Sequence, residues 1–268
     1  MTDKSQFKES FEKIIANTAN VKLELPSKGM YYSKDSILSN GYVHLRYMKG
    51  EDEEILLSPK HLKDNTFIET LLQKLVLEPD FDVYELSLGD RMYLMLSARV
   101  MSLGSEFIVP TIMCPNCGHT DKEVKFDVSQ IQEKIVKQTP VEPHTGIFKT
   151  TLPDCGHEIT VSITTGEVEK RIEDKRKKMQ QVNTEFTFNH GVAELLQSST
   201  GIDGVNPTYG QKLKYVKELP IKDSRRLRQF MNEINGIPDN RLPHNCTSCT
   251  HEFMVPIEFG ISFFFPEI

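Results

Sequence analysis

The chain has 268 residues, of which 38% are apolar and 26% charged, with a net charge of −6; this is enough apolar material for one large or two modest cores, and it supplies no general positive field for nucleic acid. No run of roughly 18 apolar residues exists to span a bilayer, and the polar start Met1-Thr2-Asp3-Lys4-Ser5 carries no secretory signal, so synthesis in a cytoplasm is expected. The 5 cysteines, mostly in Cys-x-x-Cys spacing, fit a reducing compartment rather than a disulfide framework.

Phe7, Phe11, Ile14 and Ile15 recur at helical spacing and predict an amphipathic helix over residues 5–20. An extended stretch with Pro-Ser-Lys-Gly turn chemistry follows, and then Val43, Leu45 and Tyr47 alternate with polar neighbours as a strand. Helices are expected over 51–57 and 67–77, and most strongly over 88–101, where Ser87 and Asp90 suggest a capping box. That helix is apolar almost all round and should be central; its Arg91 and Arg99 are expected to snorkel or to pair with Asp90.

A strand at 107–109 leads into Cys114-Pro115-Asn116-Cys117, and 120–128 leads out of it. Leu152-Pro153-Asp154-Cys155-Gly156-His157 reads as the turn of a hairpin. A charged helix is expected over 166–181, with its acidic residues first and its basic residues last, as the helix dipole favours. Further helices are expected at 191–197 and 223–234, with a loop over 199–210. Val255, Ile257, Phe259, Ile261, Phe263 and Phe265 alternate strictly and predict a terminal strand, paired internally or docked on a neighbour. The two cysteine pairs are the one internal repeat expected.

Four thiols in two such pairs satisfy a closed tetrahedral zinc site, so Cys114, Cys117, Cys246 and Cys249 are the expected ligands of a structural Zn2+. Cys155 with His157 beside it is an alternative ligand and otherwise a bystander, and His119 and His251 are expected to flank the site without ligating. No phosphate cradle, nucleophile elbow or metalloprotease motif is present, which points away from an enzyme and from a small-molecule substrate. The acidic Glu106, Asp121, Glu252 and Glu258 around the cysteine pairs disfavour the alternative of a nucleic-acid-binding zinc ribbon.

Several stretches, taken together and in order, resemble a family of baseplate proteins from T-even-like, contractile-tailed phages. They are Leu25-Pro26-Ser27-Lys28-Gly29-Met30-Tyr31-Tyr32, Gly50-Glu51-Asp52-Glu53-Glu54-Ile55-Leu56, Gly89-Asp90-Arg91-Met92-Tyr93-Leu94 and Arg99-Val100-Met101-Ser102-Leu103-Gly104. The resemblance implies a baseplate hub or tail assembly protein in the virion tail. Its partners would be other hub or tail proteins, with the tape measure protein among the candidates; a tape-measure chaperone absent from the mature virion is the alternative. The expected fold class is α+β: a helical N-terminal core with strands, joined to a split four-cysteine zinc ribbon that carries a long mixed α/β insertion. The expected divisions are an N-terminal helix at 1–21, a core at 22–113, ribbon halves at 114–128 and 240–268, and the insertion at 129–239.

Overall fold

The computed structural model describes residues 20–64, 66–131, 136–204 and 206–265. The helix expected over 5–20 falls, but for Asn20, on residues that lie outside these. Among the described residues, none of the helices is long and apolar enough to cross a membrane.

The described residues open with β1 (Val21–Glu24) and β2 (Tyr42–Leu45), an antiparallel pair. The predicted helices follow as α1 (Gly50–Leu56), α3 (Phe67–Leu75) and α4 (Leu88–Leu103), with α2 (Pro59–Asp64) an unforeseen short turn of helix between the first two. Two hairpins come next: β3 (Glu106–Met113) with β4 (Thr120–Asp127), and β5 (Ile147–Thr151) with β6 (Glu158–Ser162). The charged helix is α5 (Gly166–Gln181), and α6 (Phe188–Leu195) runs into β7 (Leu196–Ser199), which adds to β6.

The expected loop over 199–210 is interrupted at its end by α7 (Tyr209–Glu218). Thr208 and Gln211 cap that helix reciprocally, a Thr-x-x-Gln signal present in the sequence. Then come α8 (Ile221–Ile234) and a third hairpin, β8 (Arg241–Asn245) with β9 (Glu252–Pro256).

The terminal strand does not form beyond Pro256. Proline has no N–H to extend a ladder, and Gly260 starts a single helical turn, α9 (Ile261–Phe264). That turn drives Phe263 and Phe264 into the chain's own interior at 0% and 2% exposure. The apolar tail is therefore consumed internally, by a helical turn instead of alternation.

Among the described residues, the buried side chains form two clusters. The first takes Leu25, Tyr32 and Leu45, the apolar faces of α3 and α4, the β3–β4 and β8–β9 hairpins, and Phe263 and Phe264. The second takes Phe148, Ile159 and Val161 of the three-stranded sheet with residues of α5, α6, α7 and α8, and also Tyr31. The two meet at the start of α4. Leu88 N–H donates to Thr164 O (2.9 Å), and Thr164 N–H donates to Asn235 Oδ1 (2.7 Å). The chains approach so closely there that a Cβ on Gly89 would stand 2.5 Å from Asn235 O, so only glycine fits.

The stretches at 25–32 and 89–94 meet in one buried polar junction at this point. Asp90 is 1% exposed; its Oδ1 accepts from Ser27 N–H (3.0 Å) and its Oδ2 from the Tyr32 hydroxyl. Ser87 N–H donates to the same Tyr32 oxygen (3.1 Å). Only half of the expected capping box forms as a result: Ser87 Oγ accepts from Asp90 N–H (3.2 Å), but the Asp90 carboxylate is turned to residues 27 and 32. Burial raises the Asp90 carboxyl, against the hydrogen bonds that favour its ionised form.

Neither arginine of α4 pairs with Asp90. Arg91 reaches Glu69 (3.2 Å) and Glu169 (2.5 Å). Arg99 is 3% exposed and donates to three backbone carbonyls, those of Phe263 (2.8 Å), Glu106 (2.8 Å) and Gly104. It ties α4 to the following strand and to the terminal helical turn.

Candidate metal centre

Each Cys-x-x-Cys pair lies in the tight turn of a hairpin. In the β3–β4 turn, Cys114 N–H donates to His119 O (2.8 Å) and Gly118 N–H to Cys114 O (3.0 Å). In the β8–β9 turn, Cys246 N–H donates to His251 O (3.0 Å) and Thr250 N–H to Cys246 O (2.9 Å). Both turns need a left-handed residue at the fifth place. Gly118 supplies it at φ 72°, while Thr250 adopts it at φ 57° despite its branched side chain.

The two turns face each other. Cys114 Sγ lies 3.7 Å from Cys249 Sγ, and Cys117 Sγ lies 3.7 Å from Cys246 Sγ. All four sulfurs fall within 4.8 Å of one another. A tetrahedron built on metal–sulfur bonds of about 2.3 Å has edges of about 3.8 Å, so the quartet has the size and donor chemistry of a closed four-thiolate site. Cys114 and Cys246 are buried, at 1% exposure each, and Cys117 is exposed. Such a set of soft thiolates suits zinc and other thiophilic ions.

The electrostatics also favour a cation. The His251 N–H and the Asn116 side chain hold the Cys249 thiol down to about 6. The His119 N–H favours the Cys117 thiolate too, but the bond to Cys249, burial and the other sulfurs push that thiol up to about 12. Four thiols this close do not all ionise without a positive charge among them.

A carboxylate that sequence reasoning treated only as surface charge sets the turns against each other. Asp121, at 5% exposure on β4, accepts from Thr247 N–H (3.3 Å), from the Thr247 hydroxyl and from His244 Nε2 (2.9 Å). These bonds hold its carboxyl down at about 2. Asp121 and Phe126 are five apart yet both buried, which an uninterrupted strand forbids. Glu123, at φ 50°, lies where the regular alternation fails, so the period-2 pattern could not have revealed Asp121.

The other weighed residues stay outside the quartet. His119 Nε2 lies 3.5 Å from Asp121 Oδ1, and the His251 ring stacks on Phe253 at 6.0 Å. Cys155 sits in the β5–β6 turn, and His157 Nδ1 is 3.1 Å from the Tyr215 hydroxyl. Among the described residues, the four cysteines are the cluster of three or more metal-capable side chains that converges.

A model of the family described as T4 bacteriophage base plate protein matches residues 17–266. Neither the curated proteins nor the solved structures contain a significant match. The matched stretch includes both hairpins that carry the quartet, both buried clusters and the junction between them. The chain belongs to the family of T4 bacteriophage base plate proteins.

Proposed function

We propose that this baseplate protein is a structural or assembly component of the tail hub of a contractile-tailed phage, acting by docking to other tail proteins. Its metal is structural: Cys114, Cys117, Cys246 and Cys249 hold a zinc ion as the two halves of a split ribbon, with residues 129–239 as an insertion between them. The family match over 17–266 carries the reading. The convergence of four sulfurs within 4.8 Å supports the metal. Four thiols leave no open coordination position, so the ion would stabilise the fold and perform no chemistry.

The experiment has two arms. The zinc content of the purified chain and of Cys114→Ser is measured, and both are tested for complementation of tail assembly. We expect one zinc per wild-type chain, lost in the variant together with assembled tails. Normal tails from a variant with unchanged metal content would remove the metal from the account. Mass spectrometry of purified particles then separates a resident hub component, which is retained, from an assembly chaperone, which is missing.

A further inference from the structure

The turn at 152–157 repeats the two cysteine turns. Leu152-Pro153-Asp154-Cys155-Gly156-His157 and Cys114-Pro115-Asn116-Cys117-Gly118-His119 share Pro, Cys, Gly and His at the same places. The backbone repeats as well. Leu152 N–H donates to His157 O (2.9 Å) and Gly156 N–H to Leu152 O (3.0 Å), the same two bonds that close each cysteine turn. Gly156 takes the left-handed place at φ 70°, as Gly118 and Thr250 do. Each turn joins the strands of an antiparallel hairpin.

The chemistry inside this third turn differs. Leu152, at 0% exposure, stands where the first cysteine would be. Asp223, in the first turn of α8 and also 0% exposed, accepts the Asp154 N–H (2.8 Å) on one oxygen and the Cys155 N–H (2.9 Å) on the other. A carboxylate that receives two amides bridges them as a small anion would.

We propose that residues 147–162 are a third knuckle hairpin, closed by the carboxylate of Asp223 in place of a metal ion. This turn of the second core is then closed without metal, whereas under the proposed function the cysteine hairpins of the first would depend on theirs. Burial and the neighbouring Asp223 charge push the Cys155 thiol up, which leaves it a poor ligand and a poor nucleophile. The inference rests on hydrogen bonding within the second core and stands whether or not the quartet holds zinc.

The test is amide hydrogen exchange on the full chain, resolved at residues 114–119, 152–157 and 246–251. A zinc chelator should speed exchange at least tenfold in the two cysteine turns and leave 152–157 unchanged. Asp223→Ala should do the reverse, with zinc content intact. Asp223→Asn keeps a single carbonyl acceptor and should expose one of the two amides, which preserves the test if the alanine variant does not fold. Unchanged protection of both Asp154 and Cys155 in Asp223→Asn would overturn the proposal, as would chelation that opens 152–157 along with the cysteine turns. Chelation that opens no turn, combined with lost protection in the Asp223 variants, would sink the zinc reading and uphold this one.

Discussion

Tyr31 and Tyr32 are consecutive in the chain and buried in different hydrophobic clusters, Tyr31 against Phe148 of the second and Tyr32 within the first. The Leu-Pro-Ser-Lys-Gly stretch before them is therefore a staple between the two cores. The Tyr32 hydroxyl donates to Asp90 and accepts from Ser87, whereas the Tyr31 hydroxyl is buried with no hydrogen-bond partner.

The adjacent tyrosines should consequently respond in opposite senses to the same change. Tyr32→Phe leaves a buried carboxylate oxygen and the Ser87 amide unpaired and should cost about 1–3 kcal/mol. Tyr31→Phe removes an unpaired polar atom and should be neutral or stabilising, by up to about 1 kcal/mol. Urea unfolding of both variants checks this, and equal losses would contradict the assignment.

Arg99 gives a second prediction. Arg99→Met leaves the carbonyls of Phe263, Gly104 and Glu106 without their donor in a buried site, and should cost about 3 kcal/mol. Arg99→Lys keeps the charge but not the fork that spans three oxygens, and should recover only part of the loss. Thermal unfolding ranks the two; a lysine variant as stable as wild type would show that charge alone suffices.

Thr250 sits in a left-handed conformation that Gly118 and Gly156 occupy at the equivalent place in the other two turns. Thr250→Gly should stabilise the chain by about 0.5–1 kcal/mol, the strain released being partly offset by greater freedom when unfolded. Gly118→Thr should destabilise by a similar amount. The midpoint of chemical unfolding, followed with metal in excess, reads both signs.

Asp52 predicts an acid dependence. Burial alone would raise its carboxyl, but the Arg46 guanidinium, bonded at 2.7 and 2.9 Å, and the Lys49 N–H at 2.8 Å outweigh burial and hold it below its usual value of 3.8. A group lowered on folding stabilises fully above its unfolded value and loses that contribution as pH falls through the folded one. Asp52→Asn should therefore cost about 2 kcal/mol at neutral pH. Its deficit against wild type should shrink below about pH 4. A deficit that is constant across this range would exclude the linkage.

Much of this was legible in the residues because it is local. Helical periodicity marked α4 and α8, and a pair of Cys-x-x-Cys strings was enough to anticipate sulfurs meeting across the fold. What escaped was long-range or conformational. Asp90 looked like a cap residue, and only the approach of residues 27 and 32 gave its carboxylate a different task. Alternation past Pro256 promised a strand, but one proline and one glycine redirected it into a helical turn. The turn at 152–157 was legible as a hairpin turn, but its kinship with the cysteine turns was masked, because Leu152 stands where the first cysteine of a pair would be.

The separation of the quartet along the chain also orders events in time. Cys117 and Cys246 are 129 positions apart, so a ribosome delivers the first two sulfurs long before the second two. Until residue 246 has emerged from the exit tunnel, no ion could be gripped by more than half of the four sulfurs. A four-sulfur clasp could thus close only after the intervening segment has had its own opportunity to collapse, and a nascent chain halted earlier would carry an open hairpin with two of the four sulfurs.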